Sequence, residues 1–257
     1  MQVKRIVGFA TMAALVIAAA CTASGATAVK TSPAKTAIQA AAKRNRYAIV
    51  TFYKKNDTAS TKMLADAKRL QAKHASRAAF VSVDVGNAIH KQLISQYGVD
   101  RSPVPLTLVI APNGAVTAGY PNAINKTDLS DAFVSEGTAD VLKVLQSGKL
   151  ALVCLQNSKT KFNKESMAAA EGLKADKTLP GLVEIVQIDP SDSRESKFLQ
   201  KCKADADSTN AQVVMIIPPG TVLGTFDGDT TKDKLMAGLQ SGMKACGTGC
   251  GPSGCGP

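Results

Sequence analysis

Aromatic side chains are scarce in this sequence, 4% of the residues, and its 31 lysines and arginines are scattered among 20 acidic residues with no long basic block. Base stacking needs π-faces and phosphate tracking needs clustered cations, so the composition argues against a nucleic-acid partner. The formal charge of +11 then reads as a solvated surface with a general attraction for acidic partners or anionic surfaces. No two of the six cysteines stand at a C-x-x-C spacing, which removes the dithiol of a disulfide oxidoreductase. There are only two histidines, His74 and His90. They are expected on polar helix faces with no partner cysteine or carboxylate pattern, which argues against a histidine metal site. No glycine-rich segment follows a strand and opens a helix with phosphate-loop spacing, and no serine nucleophile elbow occurs.

Acidic residues are also missing from residues 1–30, where Lys4 and Arg5 precede an apolar run over 6–20. This is the layout of a secretory signal, and the apolar part is too short and alanine-rich for a stable membrane span. The run ends Leu15-Val16-Ile17-Ala18-Ala19-Ala20-Cys21, which resembles the lipobox of bacterial lipoproteins. The resemblance implies cleavage before Cys21, lipidation of that cysteine and anchoring of the mature protein to a membrane. Ala18 stands where a lipobox usually has Leu, Val or Ile, so ordinary cleavage at Ala26-Thr27-Ala28 stays open. Either route predicts an exported, periplasmic protein in a compartment where disulfides persist. Losing this leader removes only Lys4 and Arg5 from the charged set before Cys21.

Strand and helix patterns alternate through the rest of the chain. A helix over 33–46 is followed by a strand at 47–53, a helix at 58–74, a strand at 80–85 and a helix at 88–97. Strands at 106–111 and 115–120 flank the turn Pro112-Asn113-Gly114, and a helix is predicted over 126–145. The same order returns with strands at 150–155, 182–188, 213–217 and 221–226 and helices at 161–175, 195–203 and 232–244. Individual residues match at an offset of about 105: Val50 with Val153, Met63 with Met167, Leu93 with Phe198 and Tyr120 with Phe226. Agreement of order, spacing and residue identity indicates an internal duplication with its boundary near Gly148.

The element order resembles that of the thioredoxin fold over residues 33–245. Ile49-Val50-Thr51-Phe52-Tyr53 is similar to the strand entering a thioredoxin active site, Lys62-Met63 to the residues after the dithiol, and Val104-Pro105-Leu106-Thr107 to the cis-proline loop. The resemblance implies an α/β protein of two tandem thioredoxin-like domains, each a mixed sheet with helices on both faces. It divides the chain into a signal peptide (1–20), a linker (21–32), domain 1 (33–148), domain 2 (149–245) and a cysteine- and glycine-rich tail (246–257). It also implies that Pro105 is the cis-proline and that Thr58 and Thr61 stand at the two dithiol positions. Threonine cannot form a disulfide, so the redox cycle is absent from domain 1. Thr51 replaces the buried acid frequent in the family, and Ala211 takes the place of Pro105 in domain 2. Cys154 and Cys202 are expected as buried structural thiols, with a disulfide between them as the alternative.

The tail holds Cys246, Cys250 and Cys255, half of all the cysteines, among five glycines and two prolines. Those residues oppose regular structure and predict a flexible arm. Without Cys21 five thiols remain, and an odd number cannot pair completely within one chain. The spacing C-x3-C-x4-C suits three thiolates around Cu(I), or Zn(II) with a borrowed ligand. It equally suits a mobile dithiol that exchanges with partner disulfides, or cysteines that form disulfides locally or between chains. The sequence therefore predicts a non-catalytic binding or scaffold protein of the cell envelope, with a protein or peptide partner, no certain cofactor and a thiol-rich tail. The rival is envelope thiol–disulfide exchange by the tail cysteines.

Overall fold

Two largely apolar runs, 47–53 and 150–155, become central strands of two sheets. A computed structural model of the chain describes residues 31–247. The first repeat comprises α1 (Pro33–Lys43), β1 (Tyr47–Tyr53), α2 (Thr58–Ala72), β2 (Ala78–Asp84), α3 (Lys91–Gln96), β3 (Leu106–Ile110), β4 (Val116–Pro121) and α4 (Glu136–Gln146). The second comprises β5 (Leu150–Leu155), α5 (Asn163–Lys174), β6 (Val183–Ile188), α6 (Ser196–Cys202), β7 (Gln212–Ile217), β8 (Thr221–Asp227) and α7 (Lys232–Gly247). Among the described residues no helix is long and apolar enough to cross a membrane.

The strand orders are β2-β1-β3-β4 and β6-β5-β7-β8. In each sheet the first pair is parallel and the other two are antiparallel. Thr51 sits opposite Thr107 in one sheet as Cys154 sits opposite Val213 in the other. Even the register irregularity recurs, at Val109/Ile110 and at Met215/Ile216. The chain is thus an α/β protein of two tandem thioredoxin-like domains.

Helices cover both faces of each sheet, which is why the central strands carry no polar alternation. In the first repeat, α1 and α3 bury Ile38, Val50, Phe52 and Leu93 on one face, while α2 buries Met63 and Leu70 against Ile49 and Val109 on the other. In the second, Cys154, Leu173 and Leu235 share one face, and Val153, Phe198 and Cys202 the other. Each fully buried side chain of this size contributes about 1.5–3 kcal/mol.

Helix α4 serves both repeats. Its Ala139 packs into the core of the first sheet, and its Val141 and Leu145 into that of the second, beside Ala151, Val153 and Ile188. It closes one repeat and stands where α1 stands in the next, so the boundary near Gly148 divides the strands but not the packing. Glu195, only 4% exposed, fastens the helix start. Its carboxylate accepts from the Ser135 hydroxyl (2.5 Å), the Gly137 N–H (3.0 Å) and the Thr138 hydroxyl (3.1 Å). The Gly137 N–H is one of the unpaired donors at the helix N-terminus, where negative charge is favourable.

Three expected elements differ. The helix predicted over 126–145 begins only at Glu136, because Asp128 accepts from the Ser130 N–H (2.6 Å) and hydroxyl and diverts the backbone into a 3-10 turn at Ser130–Ala132. Leu129, Ala132 and Phe133 are buried by this irregular stretch instead. The helix predicted over 88–97 is a 3-10 turn at Ala88–His90 followed by α3. Finally, α7 runs to Gly247, so Cys246 belongs to a helix and is not the first residue of an irregular arm.

Candidate functional site

The tip of α2 in the first repeat is built by a short polar cap. Asp57, the N-cap, accepts from the Ser60 N–H at 2.8 Å, and the buried Ser60 hydroxyl accepts from the Lys54 N–H at 3.1 Å. The bonds from Ser60 are the main cause holding the Asp57 carboxyl below its ordinary value. Thr58 and Thr61 lie on the exposed side of this first turn, while Met63 one residue past Lys62 anchors the helix in the core. The Thr61 hydroxyl is spent on the Asp57 carbonyl at 3.1 Å. A thiol at these positions would feel the helix dipole and ionise; a hydroxyl there stays protonated and carries no electrons.

Behind the tip, Thr51 is fully buried and shares a 2.9 Å hydrogen bond with Thr107. A neutral hydroxyl pair thus fills the space, with no ionisable acid. The Val104–Pro105 peptide bond is cis. The Pro105 carbonyl accepts from the Asn122 N–H at 2.8 Å, but the Val104 N–H and carbonyl have no protein partner among the described residues, and Val104 is half-buried. Backbone left unpaired just ahead of a strand can take up an added strand.

The second repeat has used up the corresponding backbone. Lys161 forms a parallel bridge with Asn210: its N–H donates to the Thr209 carbonyl (2.9 Å), and its carbonyl accepts from the Ala211 N–H (2.8 Å). The Ser208 hydroxyl serves both the Asn210 N–H and carbonyl at 3.1 Å each. The bond from Ala211 is one that a proline could not make. Replacement of proline by Ala211 therefore goes with closure of the loop, a consequence visible in the sequence difference but not drawn from it.

The remaining candidates separate clearly. Cys154 and Cys202 are both free and buried, in core clusters on opposite faces of the second sheet, so the alternative of a disulfide between them is wrong. Burial pushes the Cys154 thiol up to about 12 and the Cys202 thiol up to about 11. Nor are the histidines solvated as expected. His90 is buried with Nδ1 2.7 Å from the Ser32 hydroxyl, and His74 sits edge-on to Phe133 with Nε2 3.2 Å from Asp128. Their hydrogen-bond partners Ser32 and Asp128 lie 58 and 54 positions away, beyond the reach of a local sequence pattern. Among the described residues no cluster of His, Cys, Asp and Glu would hold a metal ion. Cys21, Cys250, Cys255 and the side chain of Cys246 lie outside the described residues, as do the expected lipid anchor and the soft-metal site.

No protein-family model and no curated protein matches the sequence. Among solved structures, the chain is similar to the first two thioredoxin domains of Saccharomyces cerevisiae Eps1p, with 13% identity over 80% of this chain and 95% of that one and a TM-score of 0.27. It is similar also to human ERp44, with 11% identity over 80% of this chain and 55% of that one and a TM-score of 0.31. A third similarity is to the NTD_N/C domain of alkylhydroperoxide reductase AhpF from Enterococcus faecalis, with 11% identity over 80% and 98% and a TM-score of 0.24. The chain spans about half the length of ERp44. Identities and scores this low carry no activity across to this chain.

Proposed function

We propose that the chain is a non-catalytic binding protein of the cell envelope whose first repeat holds an extended peptide beside Val104 and Pro105. One contrast carries the reading. The Val104 backbone has no partner among the described residues, whereas Lys161, Thr209 and Ala211 pair among themselves in the same region of the second repeat. Main-chain pairing supplies affinity without demanding a particular ligand sequence. Hydroxyls in place of thiols let the partner leave unaltered. Export, and anchoring through Cys21, follow from the leader; a Cu(I) or Zn(II) ion at Cys246, Cys250 and Cys255 is a further part of the proposal.

The experiment compares extended peptides with copies N-methylated at alternate amides, so that the protein is never altered. Each hydrogen bond lost costs about 1 kcal/mol, or roughly fivefold in affinity. Methylation of one register is expected to weaken binding by that factor or more and the other register to bind as before. Absence of peptide binding, or indifference to methylation, would overturn the proposal. The second reading, thiol–disulfide exchange, draws on three thiols within ten residues. Disulfide turnover by the leaderless protein that vanishes in the Cys246→Ser/Cys250→Ser/Cys255→Ser variant would establish that reading and displace binding alone.

A further inference from the structure

A cavity lies at the end of the first sheet where β1 begins. It has a volume of about 410 Å³ and is bounded by the turn between α1 and β1, the residues before β2, the start of α4 and Arg194 from the second repeat. That volume suits a small organic ligand, for which pockets run about 300–1,000 Å³. Four arginines line it, Arg44, Arg46, Arg77 and Arg194, against two carboxylates, Glu136 and Asp140.

The four cations are differently engaged. Arg194 is paired with Asp192 at 2.6 Å. Arg46 spends one terminal nitrogen on the Ala75 and Ala78 carbonyls at 2.5 Å each, which fixes the guanidinium, while its Nε is buried without a partner. Arg77 lies over the Phe133 ring at 4.9 Å, and neither its guanidinium nor that of Arg44 makes a hydrogen bond or ion pair with any described residue. Asp140 is already hydrogen-bonded by Asn113 at 2.8 Å. With Arg194 neutralised by Asp192, the lining keeps a surplus of one positive charge, and the Arg77 guanidinium is held over the Phe133 ring.

We propose that this cavity binds the phosphoryl group of a phosphate monoester. A monoester carries about −1.5 to −2 charges near neutral pH, attracted by the surplus, and three acceptor oxygens that suit the guanidinium forks of Arg44 and Arg77. The Tyr47 and Val134 side of the lining receives the organic part. The same chemistry is offered by a soluble ester and by a phosphatidic acid headgroup. This site is independent of the peptide groove at Val104.

The test is titration of the leaderless protein with phenyl phosphate, with phenol as the uncharged control, followed by calorimetry. Arg44→Gln and Arg77→Gln are each expected to weaken phenyl phosphate binding about tenfold or more, since a hydrogen bond to a charged group is worth about 1.5–3 kcal/mol. Lys159→Ala, an exposed lysine of the second repeat, is expected to leave it unchanged. The Arg44 side chain is exposed and makes no hydrogen bond or ion pair with any described residue, so its variant keeps the test valid if Arg77→Gln unfolds. Added salt should weaken binding. A parallel arm uses vesicles containing phosphatidic acid: capture that depends on Arg44 assigns the group to a lipid, and inert vesicles with phenyl phosphate bound assign it to a soluble ester. No saturable binding by about 1 mM in both arms, equal binding of phenol, or affinity unmoved by both arginine substitutions would overturn the proposal.

Discussion

Cys154 and Cys202 have thiols that burial makes hard to ionise, and that governs their chemistry. A thiol must be thiolate to attack a disulfide reagent, and at about 12 and about 11 neither ionises appreciably near pH 8. A full chain with Cys21, Cys246, Cys250 and Cys255 changed to Ser is expected to give no reaction with a chromogenic disulfide until denatured, when two thiols appear. Rapid reaction of either in the native state would contradict their burial. The linked pH effect has a definite sign. Above the ordinary thiol value of 9.0 the unfolded chain loses protons that the folded chain keeps, so stability falls as pH rises from about 9 towards 12. Glu184 acts at the other end of the scale. Hydrogen bonds from Lys149 and Lys174, both 2.7 Å, hold it at about 2. Its contribution is present above the ordinary glutamate range and lost as pH falls towards 2. Being one-third exposed, that contribution is under about 1 kcal/mol.

Helix α4 shows at the level of elements what periodicity conveys and what it omits. Ala139, Val141, Leu142 and Leu145 read as one amphipathic face, but they divide between two sheets. Nothing local to the sequence says that a helix has a second sheet to cover. Gly137 is likewise silent in sequence and decisive in space. A Cβ there would lie 2.7 Å from Glu195 Oε1 and 2.8 Å from Ile188. Alanine is favoured over glycine within a helix by about 1 kcal/mol, whereas overpacking costs about 1–3 kcal/mol. The clash involves a carboxylate locked by three hydrogen bonds, so Gly137→Ala is expected to lower stability by about 1–2 kcal/mol, read from denaturant midpoints. A gain in stability would mean that the Glu195 lock yields freely. The strands were legible for the opposite reason: apart from Thr51, β1 and β5 are apolar along their length because both faces are covered. The segment 121–135 was not, since its core residues are positioned by Asp128, Ser130 and a 3-10 turn and not by a repeating pattern.

The whole molecule is a duplication whose two copies have parted company. Sheet order, register and even the strand irregularity are shared, and those features follow from buried side chains that both copies retained. The loops facing the α2 and α5 tips differ, and the difference reduces to Pro105 against Ala211 with the backbone pairing that each permits. The residue types at the first tip were legible in Thr58, Thr61 and Pro105. The openness of Val104 was not, because hydrogen-bond accounting needs both partners, and Lys161 and Asn210 lie 49 positions apart.

The central claim, one repeat open and the other closed, is tested most directly by following backbone amide resonances of the isotope-labelled leaderless protein while an extended peptide is added. The account predicts saturable shifts at Val104, Thr58 and Thr61 with Lys161, Asn210 and Ala211 unmoved. Shifts centred on Lys161 and Asn210 with Val104 silent would contradict it.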